Sequence, residues 1–169
     1  HSAPASSHPL PPMSTPGLGA SAPLTRAATP IPGNGARVLL AEDNETEAAQ
    51  TMSMLSDVED AAVDVDWVAT AEDAVSRMAK GGYDAYLVDV TLGRASGFDV
   101  LRAGLEQGCA APILLLAEYG EGHRDREALR LGAADFLVKG ETTAPHLQRA
   151  VRHAIERGPV AQALRDSQR

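Results

Sequence analysis

The feature that most constrains the fold is the alternation of short apolar runs with amphipathic helical segments from Ala36 onward. Continuous apolar runs are typical of strands buried on both faces, and the segments between them are long enough for helical crossover connections. We therefore predict an α/β fold of five strand–helix units around a parallel sheet. The predicted strands cover residues 37–41, 63–69, 84–90, 113–117 and 135–139, and the predicted helices cover residues 44–58, 70–82, 96–108, 121–133 and 143–158.

The first 35 residues differ in composition from the rest of the chain. Residues 1–35 contain eight of the eleven prolines and a single charged residue, Arg26. Such a Pro/Ala/Ser-rich segment buries too little apolar surface to offset the entropy lost on folding, so we expect it to be disordered. The pattern thus divides the chain into a tail over residues 1–35, a folded domain over residues 36–157, and a connector helix or tail over residues 158–169. The Gly158-Pro159 pair is expected to end or kink the last helix.

Charge and cysteine content narrow the functional classes. The formal net charge of −8 argues against a broad basic surface, so we expect no direct nucleic-acid binding by this segment. The single Cys109 cannot form an internal disulfide, which favours a reducing compartment. No apolar run approaches the ~20 residues that a membrane-spanning helix needs, and the N-terminus lacks a signal-peptide layout. We expect a cytoplasmic protein without a membrane partner.

Carboxylates follow two of the apolar runs directly. Glu42 and Asp43 come after residues 37–41, and Asp89 lies near the end of residues 84–90. The carboxyl ends of parallel strands meet at one edge of a sheet, and these two strands are neighbours in a flavodoxin-like order, so the side chains should converge. A single aspartate is often only a turn former or a helix cap, but two charges ~4 Å apart repel by about 4 kcal/mol at an effective dielectric of about 20. A divalent cation relieves this repulsion, and an all-oxygen site suits Mg²⁺.

These residues make the chain similar to the receiver domains of two-component response regulators, the CheY-like superfamily, over roughly residues 36–157. Glu42-Asp43 matches the family's acidic pair, and Asp89 matches its phospho-accepting aspartate. The resemblance implies a flavodoxin-like, doubly wound (βα)5 fold with a five-stranded parallel sheet in the order 2-1-3-4-5. Further matches lie in the loop after Asp89 and around the fifth strand: Gly97, Phe98, Phe136 and Lys139.

The resemblance also implies a role for each matching residue. Asp89 would take a phosphoryl group from the phosphohistidine of a histidine kinase or a histidine phosphotransfer protein. Mg²⁺ would be held by Asp43, Asp89 and the backbone carbonyl of Thr91, with Glu42 acting mostly through a bound water. Mg²⁺ and the Lys139 ammonium would neutralise charge on the phosphoryl oxygens. The chain would then catalyse only its own phosphorylation and dephosphorylation, and it would not be a turnover enzyme on a small molecule.

Four positions depart from the family pattern. A Ser or Thr usually ends the fourth strand, and its hydroxyl couples the phosphoryl group to the aromatic switch residue, here Phe136. This chain has Ala117 at that position and Glu118 at the next, where the family has a small residue. The usual prolines after the phospho-acceptor and after the lysine are replaced by Gly93 and Gly140. We expect an intact acidic cup and nucleophile, with an absent or altered coupling between residue 117 and the aromatic switch.

The departures keep a second hypothesis open, a pseudo-receiver that docks a protein partner without phosphorylation. Ala117 and Glu118 favour it, whereas the acidic residues and Lys139 argue against it. A third hypothesis, an aspartate-nucleophile phosphatase of the haloacid-dehalogenase kind, needs a second aspartate two residues after the nucleophile, where this chain has Thr91. A dinucleotide-binding enzyme is also disfavoured, because no G-x-G-x-x-G follows the first strand.

The remaining signals concern surfaces. In receivers the fourth helix, the fifth strand and the fifth helix form a face for a homodimer or a downstream partner. The charged run over residues 123–130 is usually only a solvated helix face, and a role in that contact stays open. We expect Trp67 to pack on an edge strand, at a distance from the acidic residues. The end of the chain resembles the connector that follows some receivers; a single-domain receiver and a fragment of a longer protein both fit, and the connector favours the fragment. The histidines of the predicted domain are expected to be solvated helix residues: His123, His146 and His153.

Overall fold

The computed structural model describes residues 35–56 and 63–167, and the side chains of these residues as far as Gly158. Apart from Gly35, the tail predicted over residues 1–35 lies outside the described residues. Within these ranges no helix is both long and apolar enough to cross a membrane.

Five strands form one parallel sheet in the order β2-β1-β3-β6-β7. Their bounds are β1 (Ala36–Ala41), β2 (Val63–Val68), β3 (Ala85–Asp89), β6 (Ile113–Ala117) and β7 (Asp135–Val138). Two further short strands, β4 (Thr91–Leu92) and β5 (Ala95–Ser96), pair with each other in an antiparallel hairpin outside this sheet. If the two hairpin strands are left out of the numbering, the strand order of the sheet is 2-1-3-4-5. This is the predicted flavodoxin-like order, and the predicted fold class is confirmed.

Five α-helices cover the two faces of the sheet: α1 (Glu45–Ser56), α2 (Ala71–Lys80), α3 (Gly97–Glu106), α4 (Asp125–Leu131) and α5 (Ala144–Ser167). A one-turn 3₁₀-helix over Gly122–Arg124 precedes α4, which ends at Gly132 in a left-handed conformation that favours glycine. Gly158-Pro159 was predicted to end or kink the last helix; it does not end it, because α5 continues to Ser167, and the kink stays a prediction. A proline removes one hydrogen bond from a helix, and here the turns on both sides of it remain helical.

The strands of the sheet send alternate side chains into two separate core clusters. In β1, Leu39 and Ala41 contribute to the cluster that is closed by α2, α3 and α4. Val38 and Leu40 contribute to the other cluster, which is closed by α1 and α5. Because both faces are packed, the strands are fixed in register, and the residues directly after them are held at one edge of the sheet.

A half-buried ionic cluster ties the edge strand β2 to its neighbours. The carboxylate of Asp66 accepts a hydrogen bond from the Tyr83 hydroxyl at 2.6 Å and pairs with Arg37 at 3.3 Å and with Arg77 at 3.8 Å. The side chains of Arg37, Asp66 and Arg77 are only 16%, 14% and 17% exposed. Burial and the Asp66 carboxylate raise the pKa of Tyr83 to about 12. Asp66 in β2 therefore connects Arg37 of β1, Arg77 of α2 and Tyr83 of the loop before β3 through one carboxylate.

We expect Asp66→Asn to lower the free energy of unfolding by about 2–3 kcal/mol, because it leaves two shielded guanidinium groups without their carboxylate. Urea unfolding followed by circular dichroism measures this change. The matched control is Asp99→Asn, which breaks an exposed pair with Arg102 at 2.9 Å and should cost less than about 1 kcal/mol. Equal effects of the two variants would contradict a special role for the Asp66 cluster.

Candidate functional site

Three acidic residues meet at the carboxyl edge of the sheet. Glu42 and Asp43 follow β1, and Asp89 is the last residue of β3. The register Ala41↔Val88 makes these strand ends neighbours, and carboxylate oxygens of the three side chains lie within 4.8 Å of one another. Glu42 and Asp89 are 1% and 0% exposed, whereas Asp43 faces the solvent. The structure thus brings together the three residues that the sequence placed at these positions.

The backbone of Glu42 is held to the edge strand by two hydrogen bonds. Its amide donates to the carbonyl of Val68 at 3.0 Å, and its carbonyl accepts from the indole Nε1 of Trp67 at 2.7 Å. Trp67 lies on an edge strand, as expected, but the expectation that it lies at a distance from the acidic residues is wrong. A side chain at the end of β2 can reach the peptide after the paired strand β1, and the sequence pattern alone did not reveal this.

Lys139 follows β7, and its ammonium lies at the centre of the acidic group. Its backbone amide donates to the carbonyl of Ala117 at 2.8 Å, which continues the β6–β7 pairing into the loop. Its Nζ contacts four carboxylates: Asp89, Glu47 at 2.5 Å, Glu42 at 2.7 Å and Glu118 at 3.3 Å. An ammonium has three N–H donors, so the four carboxylates exceed the number of hydrogen bonds that it can donate.

Glu47 was not predicted as a site residue. It lies in the first turn of α1, where its amide donates to the Asn44 side chain at 2.9 Å, so Asn44 caps the helix. A residue four positions after Asp43 in a helix that starts at the sheet edge can turn its side chain back over that edge. This spacing is the signal that could have identified Glu47.

Burial and the crowding of carboxylates change two pKa values. Burial and the adjacent Asp89 carboxylate raise the pKa of Glu42 from 4.5 to about 8, although Lys139 opposes the shift. Burial by itself lowers the pKa of Lys139, but hydrogen bonds to Asp89, Glu42 and Glu47 outweigh it and raise this pKa above its ordinary value. Lys139 is therefore charged at neutral pH, and Glu42 holds a proton over part of the neutral range.

The loop after Asp89 folds tightly around the site. The amide of Thr91 donates to Asp89 Oδ1 at 3.0 Å, and the amide of Gly93 donates to Asp43 Oδ2 at 2.9 Å. Gly93 has a φ of 63°, a conformation that favours glycine. A Cβ on Gly97 would lie 2.2 Å from the carbonyl oxygen of Asp89, so a larger residue cannot occupy this position without moving the backbone.

The residues of the predicted switch lie at the end of β6 and in the neighbouring strand β7. Ala117 is fully buried and carries no hydroxyl. Phe136 is partly buried against the same core cluster as Ala117, and Leu115, two residues earlier in β6, is its register partner. Glu118 is about half exposed, at 48%, and it reaches Lys139 from the loop after β6. Phe98 is buried, and the Arg124 guanidinium lies 4.1 Å above its ring.

The described residues contain two groups of acidic side chains that could hold a cation, and neither group includes a histidine. The first group is Glu42, Asp43 and Asp89, and the second is Glu47, Asp89 and Glu118. The second group surrounds the Lys139 ammonium, which already supplies a positive charge there. In the first group Lys139 contacts Glu42 and Asp89 but has no contact with the exposed Asp43, so this group is the better fit for a hard divalent cation such as Mg²⁺.

Comparisons with known proteins identify one family. A family model described as the response regulator receiver domain matches residues 38–152. The chain is 32% identical over 118 residues to the regulatory protein LuxO of Vibrio cholerae, covering 70% of this chain and 25% of LuxO. It is 34% identical over 135 residues to the response regulator protein FleR of Pseudomonas aeruginosa, covering 75% of this chain and 28% of FleR. The chain therefore spans about a quarter of the length of these two relatives.

A solved structure supports the same fold. A response regulator receiver domain protein from Clostridium thermocellum superposes with a TM-score of 0.66 at 21% identity, covering 75% of this chain and 98% of that chain. At this identity the likeness concerns the fold alone.

The raised pKa of Glu42 predicts a pH dependence of stability. Between pH 4.5 and about 8 the folded chain retains a proton that the unfolded chain releases, so the contribution of Glu42 is fully present below 4.5 and is lost as pH rises through about 8. The contribution of Lys139 is constant in this window, because its ordinary pKa is 10.5 and its folded value is higher. We expect the wild type to lose on the order of 2–4 kcal/mol relative to Glu42→Gln between about pH 5 and about pH 8.5.

Urea unfolding over a pH series in metal-free buffer measures this difference. The control is Glu45→Gln, which removes an exposed carboxylate from the first turn of α1 and should follow the wild-type curve. If Glu42→Gln also follows the wild-type curve, the proton is not held by Glu42.

Proposed function

The chain belongs to the response regulator receiver domain family, and from this premise we propose that it accepts a phosphoryl group on Asp89 in two-component signalling. The donor is the phosphohistidine of a histidine kinase or a histidine phosphotransfer protein. The observation that carries the proposal is the ammonium of Lys139, which comes from the far strand β7 and bonds to both Asp89 and Glu42. A lysine beside a buried carboxylate is what the transfer of a phosphoryl group to that carboxylate requires.

The transfer step uses few groups of the chain. A carboxylate oxygen of Asp89 attacks the phosphorus, the P–N bond of the phosphohistidine breaks, and the imidazole leaves with the electron pair. The product is an acyl phosphate on Asp89. The amide of Thr91 orients the nucleophile through Oδ1, at 3.0 Å, and Lys139 bonds to Oδ2. Lys139 then moves its hydrogen bonds to the phosphoryl oxygens and stabilises their charge.

The acidic residues next to Asp89 complete the proposal. Asp43, Asp89 and the backbone carbonyl of Thr91 would hold Mg²⁺, and Glu42 would act through a bound water. Bound Mg²⁺ would supply neutralisation of charge on the transferring phosphoryl group. The oxygen-only donor set and the separations of at most 4.8 Å support this assignment.

In this proposal, the coupling between phosphorylation of Asp89 and the aromatic switch Phe136 differs from the family pattern. The aromatic switch needs a group that reports the phosphoryl state, and the fully buried Ala117 has no hydroxyl to do so. We therefore expect Phe136 to respond weakly to phosphorylation. A phosphorylation-independent docking module is not favoured, because the nucleophile, the acidic pair and the lysine all lie in contact.

The face formed by α4, β7 and α5 is the proposed contact for a second copy or a downstream partner. Leu129 on α4 is 50% exposed. This signalling is proposed to take place in the cytoplasm, where the kinases of such systems present their phosphohistidine.

Phosphoramidate with Mg²⁺ should add one phosphoryl group to the chain. Intact-mass measurement detects the adduct, and beryllofluoride with Mg²⁺ should give a matching bound signal in ¹⁹F NMR. Asp89→Asn should abolish both, because the amide oxygen is a poor nucleophile. The control is Asp84→Asn, which replaces an aspartate that bonds to the Arg37 amide near the start of the sheet. An adduct that forms without Mg²⁺, or that survives Asp89→Asn, would overturn the proposal.

Ala117→Thr should strengthen the response of Phe136 to phosphorylation. The chain has two phenylalanines, Phe98 and Phe136, so the ring signals in NMR spectra are few. We expect beryllofluoride with Mg²⁺ to shift the Phe136 signals more in this variant than in the wild type.

The control for this variant is Ala117→Val, which has the shape of threonine without the hydroxyl. Both substitutions overpack the same buried site at a similar cost of about 1–2 kcal/mol. Equal shifts in the threonine and valine variants would show that the hydroxyl is not the missing part of the switch.

A further inference from the structure

Two further carboxylates, Glu47 and Glu118, lie next to the group of Glu42, Asp43 and Asp89. We call these two residues the acidic rim. Their side chains are 35% and 48% exposed, whereas Asp89 and Glu42 beneath them are 0% and 1% exposed. The rim residues are therefore the more exposed carboxylates beside the nucleophile. Oxygens of Glu47, Glu118 and Asp89 lie within 4.8 Å of one another.

The charge of the rim is not cancelled by the cation that it contacts. Lys139 contacts both rim residues and also Asp89 and Glu42, so one ammonium faces the two rim carboxylates, the Asp89 carboxylate and the partly protonated Glu42. Among the described residues, no other cation is recorded in contact with Glu47 or Glu118. A phosphoryl group that approaches Asp89 must come within a few ångströms of both rim carboxylates, and like charges at this range repel strongly where water is partly excluded.

The rim also competes for the group that must stabilise the phosphoryl oxygens. Glu47 is bonded to Lys139 at 2.5 Å, so a phosphoryl oxygen has to displace it before it can accept a hydrogen bond from the ammonium. Displacement leaves two free carboxylates beside a new dianionic group. The penalty depends on the total negative charge of the donor, because the remainder of the donor must pass the same rim.

We infer that Glu47 and Glu118 make the site select phosphoryl donors by charge, disfavouring small dianionic donors and favouring donors that bring positive charge with the phosphoryl group. This inference rests on the proposed function, and it adds the chemistry of the partner. A protein donor can place arginine or lysine side chains beside its phosphohistidine and pair them with the rim. The partner surface that fits Asp89 is therefore basic around the phosphorylated histidine.

Two small donors test the selection without a partner protein. Acetyl phosphate is a dianion near neutral pH, whereas phosphoramidate carries a protonated nitrogen and one less net negative charge. In both reactions a carboxylate oxygen of Asp89 attacks phosphorus, and the P–O or P–N bond breaks. The leaving group, acetate or ammonia, takes the electron pair. The ratio of the two initial rates, at saturating Mg²⁺ and fixed ionic strength, measures discrimination by charge.

We expect the double variant Glu47→Gln/Glu118→Gln to raise the rate ratio of acetyl phosphate to phosphoramidate about tenfold, and each single variant to raise it by less. The control Glu45→Gln removes an exposed carboxylate of α1 that has no recorded contact with Lys139, and should change the ratio less than about twofold. Raising the salt concentration from about 0.05 M to about 0.5 M should move the wild-type ratio towards that of the double variant.

The outcomes separate this inference from the proposed function. If the adduct forms with both donors but the double variant keeps the ratio of Glu45→Gln, the rim does not select by charge, and the proposed function stands. If neither donor nor beryllofluoride gives an adduct in the wild type and in the variants, the proposed function fails and the inference fails with it. Circular dichroism of each variant establishes that the compared proteins are folded.

Discussion

The contact between the Lys139 ammonium and the buried carboxylates of Asp89 and Glu42 is the interaction on which the rest of the site depends. It joins the ends of three strands, since Glu42 follows β1, Asp89 ends β3 and Lys139 follows β7. Two carboxylates that are almost fully buried would be strongly unfavourable without a cation at this position. The parallel sheet, packed on both faces, supplies the rigidity that holds these three residues together.

The sequence predicted the parts of the site that depend on strand order. Acidic residues directly after two neighbouring parallel strands converge at one edge of the sheet. Lys139, in contrast, was predicted from its match to the receiver family and not from its position alone. The core follows a similarly simple rule, because alternate residues of each strand face opposite helical layers. These features depend on periodicity and position along the chain, which a sequence displays directly.

Other features depend on side-chain reach and on local geometry, and they were missed for that reason. Glu47 enters the site only because the first turn of α1 places it over the sheet edge. The hairpin of β4 and β5 is too short to produce a recognisable alternation, and the early stop of α4 depends on the conformation of Gly132. The continuation of α5 through Pro159 shows that a local helix-breaking signal is outweighed when the turns on both sides remain helical. Glu118 was noticed as a departure, but only its contact with Lys139 connects it to the chemistry.

The hydrogen bond from Trp67 to the Glu42 carbonyl places a fluorescent indole beside the acidic residues. Trp67 is the only tryptophan in the sequence, so all indole emission comes from one place. The indole bonds to the carbonyl of the peptide that joins Glu42 to Asp43, within the hydrogen-bond network that holds the acidic residues. A change in charge or hydrogen bonding at those carboxylates alters the electric field around the indole. The fluorescence emission of the unlabelled protein therefore depends on what is bound at the sheet edge.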